Sequence, residues 1–170
     1  MIHPLVPVNH PLLRTTAPRF DFGSPTTDPI QLAHDLTQSM LSHGGYGLAA
    51  NQIGLPYRAF VMKTNPVIVV FNPRIVNFTD EKIELEEGCL TYPGLILKIK
   101  RARGVKVRFD QPNGDTVTQN YIELTGRIFQ HEPDHLNGVV FLDYVSKLKV
   151  DIAKKKLKKT KRNNDQQNHL

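Results

Sequence analysis

The stretch QHEPDHLNG, residues 130–138, decides the fold that the sequence predicts, because it combines a helical pattern with metal-binding side chains. His131 and His135 are four positions apart, which on a helix places both imidazoles on one face, within reach of a single ion. Glu132 follows the first histidine and is placed to act on a water at that ion. Taken alone, the pattern leaves two interpretations open, a metal site on a helix at about residues 123–137 or a helix with exposed histidines.

Pro133 lies inside this motif. A proline lacks the N–H that a helix interior needs, and it costs about 3 kcal/mol relative to alanine. We expect the lost bond to the Phe129 carbonyl to appear as a bend or an opened turn near residues 129–133. Structural zinc sites contribute roughly 10–16 kcal/mol, which exceeds that cost. The sequence therefore favours a working metal site in a distorted helix.

The rest of the chain predicts strands and two further helices. Alternating and β-branched runs indicate the strands, and an Asn-Gly pair before the last of them indicates a tight turn. The strands are predicted at residues 58–62, 67–71, 82–87, 104–109 and 116–119, and the other helices at about 28–43 and 143–159. Because the strands come in a block instead of alternating with helices, we predict the α+β class. Mixed or antiparallel β-sheets would surround the central HExxH helix, with an N-terminal helix and a C-terminal basic helix.

Composition limits the classes of protein to consider. The chain has 170 residues and 39% hydrophobic content, which suits one catalytic domain over residues 1–160 and a polar, frayed tail over residues 161–170. No run of eighteen apolar residues and no signal-peptide pattern is present, so we expect no membrane contact. A lone cysteine, Cys89, cannot form an internal disulfide, and a reducing, cytoplasmic location fits best.

The positive charge is concentrated near the C-terminus. Residues 147–162 hold nine of the 22 lysines and arginines and one acidic residue, so their net charge is +8, nine minus one. Such a run attracts polyanions, and it could dock on the ribosome. The alternative is a solvated helix that only keeps the protein soluble. The apolar stripe of this helix is predicted to consist of Val145, Leu148, Ile152 and Leu157.

Two further segments carry residues suited to a site. EGCLTYPG, residues 87–94, places Cys89 at a strand end, where the backbone can turn toward a site, although a lone cysteine is more often a small buried hydrophobic residue. GGYGLAANQIG, residues 44–54, is dense in glycine and alanine, which permits close backbone approach to a ligand, and Gln52 supplies an amide donor. The second segment has no Lys, Ser or Thr placed for phosphate, so we expect no nucleotide cofactor.

In this order the three segments resemble the motifs of the peptide deformylase family. The matching residues are Gly45, Gly47, Leu48, Ala49, Ala50, Gln52, Ile53 and Gly54, then Glu87, Gly88, Cys89, Leu90, Pro93 and Gly94, and finally Gln130, His131, Glu132, Asp134, His135, Leu136 and Gly138. The resemblance spans roughly residues 9–150. The chain departs from the family pattern at Pro133, at Thr91 with Tyr92, and at Tyr46.

The resemblance implies a function and roles for the residues. The family removes formate from the formyl-methionine that begins nascent chains. Cys89, His131 and His135 would bind one divalent ion, Fe²⁺ first, with Zn²⁺, Ni²⁺ or Co²⁺ as substitutes. The catalytic group would consist of Glu132 as proton carrier and of Gln52 and the Leu90 backbone N–H as donors to the oxyanion.

Further residues are expected to hold the substrate and to brace the site. The peptide would lie extended along residues 45–47, including Gly47. The methionine side chain would enter a slot whose candidate residues are Tyr46, Leu85, Leu124 and Ile128. A pair formed by Glu87 and Arg101 would brace the cysteine strand, with Gln130 as a further partner of that cluster.

Two alternatives stay open at this point. The first is an inactive relative of the family that binds RNA or the ribosome through its basic helix. The second is a metalloprotease, since HExxH also marks that class. Its third ligand would come from the C-terminal side, where His169 is the only histidine.

Overall fold

A computed structural model describes residues 1–167 of the chain. Its seven strands are β1 (Gly47–Ala49), β2 (Ala59–Met62), β3 (Ile68–Phe78), β4 (Lys82–Cys89), β5 (Tyr92–Ala102), β6 (Gly104–Asp110) and β7 (Thr116–Ile122). Its three α-helices are α1 (Pro29–Ser42), α2 (Glu123–Leu136) and α3 (Lys147–Gln167), and short 3-10 helices span Pro11–Arg14, Ala50–Ile53 and Phe141–Tyr144. The predicted α+β class is confirmed.

The strands form two antiparallel sheets. The larger has five strands in the order β1-β2-β3-β6-β7, and the smaller is the hairpin β4-β5. The turn between β6 and β7 is the predicted one, with Gly114 at φ +89°, a left-handed conformation that favours glycine. Sequence patterns did not predict β1, which is only three residues long, or β5, which has a Pro-Gly pair directly after its first residue.

Helix α2 is the central element, and ten of its fourteen residues are buried. Phe129 is fully buried and packs edge-on against Phe60 of β2, with ring centroids 5.1 Å apart, and stacks on Tyr121 of β7 at 5.5 Å. These contacts press one face of the helix on the five-stranded sheet. The helix therefore stands between the two sheets, with its histidines toward β4.

Pro133 does not open this helix. Helical structure runs unbroken from Glu123 to Leu136, so the opened turn predicted near residues 129–133 is wrong. The proline removes one helical hydrogen bond, at about 3 kcal/mol. Burial on both sides of the proline, at Phe129 and Leu136, holds the helical path in spite of that loss.

Helix α1 begins as the sequence predicts. The Asp28 side chain accepts a hydrogen bond from the Ile30 backbone N–H at 2.9 Å, and Pro29 occupies the first turn. Its inner face packs on β1 and β2 through residues that include Leu36 and Met40, both fully buried. This helix holds β1, and with it the glycine-rich segment, in place.

Helix α3 begins at Lys147, later than predicted, because residues 141–144 form a separate 3-10 turn. The predicted stripe is wrong in part. Val150 is the buried residue, and Val145, Ala153 and Leu157 pack with it on β5. The side chains of Leu148 and Ile152 are 69% and 57% exposed, since they lie on the opposite face of the helix.

The last helix extends into the segment that we predicted to be a frayed tail, residues 161–170. Helix α3 continues to Gln167, past residue 161, where we predicted the tail to begin. The tail residues 168–170, with His169 among them, lie outside the described residues. Within residues 1–167 no helix combines the length and the apolar character that crossing a membrane requires.

Candidate metal centre

Three ligand-type side chains converge between α2 and the end of β4. Cys89 Sγ lies 3.2 Å from His135 Nε2, and His135 Nε2 lies 3.2 Å from His131 Nε2. All three ligand atoms lie within 4.8 Å of one another, and the three residues are buried. In the described part of the chain this is the one cluster with such an arrangement. The sequence-predicted ligand residues are thus brought together.

The donor set fits a divalent transition-metal ion. Tetrahedral bonds of about 2.0–2.3 Å from one ion would separate the ligand atoms by roughly 3.3–3.6 Å, close to the two distances observed. One thiolate and two imidazoles suit borderline metals such as Fe²⁺ and Zn²⁺. Three protein ligands leave a fourth tetrahedral position for water, which is the arrangement of a catalytic site rather than a structural one.

Glu87 fixes the orientation of His131. Its Oε2 lies 3.0 Å from His131 Nδ1, so the ring presents Nε2 to the other ligands. Arg101 donates to both carboxylate oxygens from the other side, at 2.7 and 3.1 Å, which confirms the predicted pairing. Burial opposes ionisation, but the hydrogen bonds from His131 and Arg101 outweigh it and lower the pKa of Glu87 to about 2.

His135 is held by its backbone and surroundings. Its carbonyl accepts a hydrogen bond from Asn51 Nδ2 at 2.6 Å, and the ring is 1% exposed. Burial lowers the pKa of this imidazole well below its ordinary value, so the ring is neutral. A neutral imidazole is the form that binds a metal.

Glu132 lies beside the three ligands and is itself buried. Its Oε2 has no hydrogen-bond partner among the described residues. Burial raises the pKa of this carboxyl to about 7, and the neighbouring His131 only partly offsets the effect. A carboxyl with a pKa near neutrality can both accept and release a proton at physiological pH.

Gln52 is oriented by three contacts. Its Oε1 accepts a hydrogen bond from the Ala49 N–H at 2.8 Å, and its Nε2 donates to Thr91 Oγ1 at 3.0 Å. The second Nε2 hydrogen is the one available to Cys89 Sγ, at 3.4 Å. Leu90 follows the cysteine and is half-buried at the same cavity. Both predicted donor residues therefore stand next to the ligand cluster.

A cavity of about 630 Å³ opens onto the cluster. Four of the five predicted substrate residues line it, namely Tyr46, Gly47, Leu124 and Ile128. Leu85 lies farther back along β4 and is not among the residues that line the cavity, so its assignment to the slot stays a prediction. Ile128 is buried, whereas Tyr46 and Leu124 are 62% and 54% exposed at the rim.

Several contacts were not predicted from the sequence. Gln130 makes no hydrogen bond to Glu87 or Arg101; its Nε2 donates to the Ala102 and Gly126 carbonyls instead, so the predicted bonding to that cluster is not observed. Arg127 reaches Glu87 instead, through Nη1 at 2.7 Å. In the sequence, the contact between Arg127 and Glu87 is indicated only by the position of Arg127 one helical turn before His131. Thr91 accepts a hydrogen bond from Gln52, and nothing in the sequence indicated this contact except that Thr91 departs from the family pattern.

A comparison with known proteins identifies the family of the chain. The family model described as polypeptide deformylase matches residues 2–151, which is most of the chain. A protein of Pseudothermotoga lettingae named peptide deformylase is 37% identical over 147 residues, which cover 86% of this chain and 85% of that protein.

Solved structures with the same fold carry the same name. A peptide deformylase from Legionella pneumophila superposes with a TM-score of 0.85 at 32% identity, covering 97% of this chain and 98% of that one. The class I type b peptide deformylase from Acinetobacter baumannii, solved with Met-Ala-Ser bound, gives a TM-score of 0.79 at 29% identity and covers 85% of this chain and 99% of that one.

Proposed function

The chain belongs to the polypeptide deformylase family, and we propose which of its residues carry out the family's reaction. The protein is a metal-dependent amide hydrolase that removes the N-formyl group from the formyl-methionine of nascent polypeptides and releases formate. The observation that carries the residue assignment is the convergence of Cys89 Sγ, His131 Nε2 and His135 Nε2 beside the buried carboxyl of Glu132.

Cys89, His131 and His135 would hold the ion, and we propose Fe²⁺ as the resident metal, with Zn²⁺, Ni²⁺ or Co²⁺ able to replace it. When bound, such an ion supplies Lewis-acid chemistry, which polarises a carbonyl and lowers the pKa of water toward neutrality. Thiolate and imidazole ligands accept all four ions, so the ligand types alone do not select one. Glu87 holds His131 Nδ1, which would leave Nε2 of that ring for the ion.

Glu132 moves the proton. Its carboxylate takes a proton from the water that adds to the formyl carbon, and it then delivers that proton to the amine nitrogen as the C–N bond breaks. The raised pKa of about 7 suits both halves of this transfer. The products are formate and a peptide with a free amino terminus, so the atoms of one water are divided between them.

Gln52 and Leu90 would stabilise the oxygen of the formyl group as it gains negative charge. Gln52 keeps one Nε2 hydrogen on Thr91 and offers the other, which makes only the long 3.4 Å contact with Cys89 Sγ. The Leu90 backbone N–H is the second donor. One such donor is worth about 3 kcal/mol when it is aimed at the developing charge.

The substrate would lie along β1, the edge strand of the larger sheet. An extended peptide can add to such an edge through main-chain hydrogen bonds, which tolerate many different side chains. The first side chain would enter the cavity toward Ile128 and Leu124, and Gly45 and Gly47 permit the close approach. That arrangement suits an enzyme that selects for the first methionine and is tolerant of the second and third residues of its substrate.

We propose further that α3 docks the enzyme on the ribosome through residues 147–162, and that the enzyme acts in the cytoplasm. The net charge of this segment favours the phosphates of RNA. Its inner face is already used by Val150 and Leu157 against β5, while the lysines at 154–156 and 158–159 are exposed. The exposed face is therefore free to contact a polyanion.

The test is formate release from formyl-Met-Ala-Ser by protein loaded in turn with Fe²⁺, Ni²⁺, Co²⁺ or Zn²⁺, with metal-free protein as the control. We expect turnover with the loaded protein, loss of turnover on chelation, and recovery when metal is returned. Absence of formate from every loaded sample would contradict the proposal. Cleavage of unformylated peptides instead would point to a protease.

A further inference from the structure

We propose that Arg127 is a positioning residue of the metal centre. It ties the helix that carries the two histidines to the strand that carries the cysteine, and it holds Glu87 against His131. The proposal rests on the ligand set proposed above, and it assigns no contact between Arg127 and substrate or metal. Its basis is the hydrogen bonding of an arginine that is only 4% exposed.

Arg127 joins three elements at once. Its Nη1 donates to Glu87 Oε1 at 2.7 Å and to the Ile99 carbonyl of β5 at 2.8 Å. Its Nη2 donates to the Ile83 carbonyl of β4 at 2.8 Å. A single side chain of α2 is thus bonded to both strands of the hairpin whose first strand ends at Cys89. These bonds fix how far the helix lies from that strand.

The same side chain forms half of a clamp on Glu87. Arg127 and His131 are one turn apart on α2, and they donate to different oxygens of this carboxylate, Oε1 and Oε2. Arg101 grips the same two oxygens from the other side, through Nε and Nη2. The carboxylate is therefore held between a guanidinium fork and an i,i+4 pair. Without Arg127, Glu87 loses the hydrogen bond that α2 makes to Oε1, and the carboxylate is held only by Arg101 and by His131.

The consequence for the metal centre follows from geometry. His131 presents Nε2 to the cluster because Nδ1 is held by Glu87, and Cys89 presents Sγ because β4 is held against α2. Removing Arg127 loosens both constraints together. Changing an outer partner of a metal-binding histidine typically costs 10–100-fold in metal affinity. Because Arg127 acts through Glu87 and does not contact a ligand directly, we expect its removal to weaken metal affinity about tenfold, at the lower end of that range.

The experiment follows release of Co²⁺ from the loaded protein to a chelator, together with the absorption of the cobalt–thiolate centre. Arg127→Leu removes all three bonds. Arg127→Lys keeps the charge and one or two bonds but loses the fork. The matched control is Arg103→Leu, which removes an exposed arginine whose side chain pairs, among residues 1–167, with Glu81 and Glu123 on the surface.

We expect Arg127→Leu to release Co²⁺ about tenfold faster than the unchanged protein and to shift the cobalt–thiolate absorption. The Co²⁺ release rate of Arg127→Lys should lie between those of Arg127→Leu and the unchanged protein. Arg103→Leu should match the unchanged protein in both release rate and absorption. A purely structural arginine would lower the melting temperature of the metal-free protein but leave the release rate and the absorption of the folded, loaded protein as they were. That result would overturn the proposal.

Two further outcomes are separable. If Arg127→Leu does not fold, Arg127→Lys decides the matter: faster release supports the positioning role, and a release rate within about twofold of the unchanged protein contradicts it. If Cys89→Ser leaves the cobalt–thiolate absorption unchanged, the ligand set itself is wrong, and with it the basis of the proposal. Formate release is measured separately, so a failure of the proposed reaction is distinguishable from either result.

Discussion

Glu132 packs directly against the backbone of Gly47, so that a Cβ at position 47 would lie 2.8 Å from Glu132 Cδ and 2.9 Å from its Cγ. Real Cβ contacts are essentially never that short, and no side chain fits at position 47 while Glu132 keeps its place. The glycine-rich segment thus shapes the position of the proton carrier as well as the path of the substrate.

Gly47→Ala is predicted to displace Glu132 without removing a metal ligand. A misplacement of about 1 Å at a reacting group can cost roughly 10²-fold in rate, and we expect a loss of that order in kcat. The measurement is formate release beside metal content by elemental analysis. Full activity in this variant would show that the close contact has no bearing on catalysis.

Glu132→Gln should bind metal as the unchanged protein does and lose turnover. The amide has nearly the same shape but cannot carry a proton, and a positioned acid or base contributes about 10²–10⁴-fold. The drop is expected in kcat, with little change in the binding of the product Met-Ala-Ser. Retained turnover would remove Glu132 from the mechanism, whatever its burial and its raised pKa.

Glu87 makes a prediction about stability at low pH. Its pKa is lowered to about 2 in the folded protein, so its contribution is fully present above its ordinary pKa of 4.5 and is lost as the pH falls toward 2. That difference corresponds to about 3 kcal/mol. In chelator, the free energy of unfolding in urea should fall more steeply between pH 5 and pH 2.5 for the unchanged protein than for Glu87→Gln. If the unfolding free energies of the two proteins fell with equal slope over this pH range, Glu87 would not be a carboxylate stabilised by its partners in the folded protein.

The exposed lysines of α3 make a prediction that separates docking from catalysis. Changing Lys154, Lys155 and Lys158 together to Glu leaves Val150 and Leu157 packed on β5, whereas cutting the chain before α3 would uncover that apolar surface. Ribosome association measured by sedimentation should fall and become less sensitive to salt. Turnover of a short peptide should stay the same. Unchanged association would assign the lysines to solubility alone.

The sequence predicts well the features that short-range patterns encode. The spacing of His131 and His135 is a property of one helix, and the cap at Asp28 and the turn at Gly114 are equally local. The class of the fold follows from the block order of strands and helices. Cys89 could be joined to the two histidines only through a resemblance, because no local pattern tells which strand end meets which helix face.

The features that the sequence could not predict depend on contacts between distant segments. Arg127 looks like an interruption of an apolar face until β4 and β5 supply the carbonyls and the carboxylate that it binds. Gln130 has the residue type of a site partner, yet its direction on the helix turns its amide to the Ala102 carbonyl. At Pro133 the local pattern predicted a distortion that the fold overrides. The proline removes a helical hydrogen bond, but the buried residues on both sides of it keep the helix continuous.

The most direct test of the central claim is X-ray absorption at the edge of the metal that the purified protein carries. We predict one sulfur at about 2.3 Å and two imidazole nitrogens at about 2.0–2.1 Å, with a remaining light-atom ligand, and loss of the sulfur shell in Cys89→Ser. A bound metal with no sulfur neighbour, or one whose surroundings are the same in Cys89→Ser, would contradict a centre built from Cys89, His131 and His135.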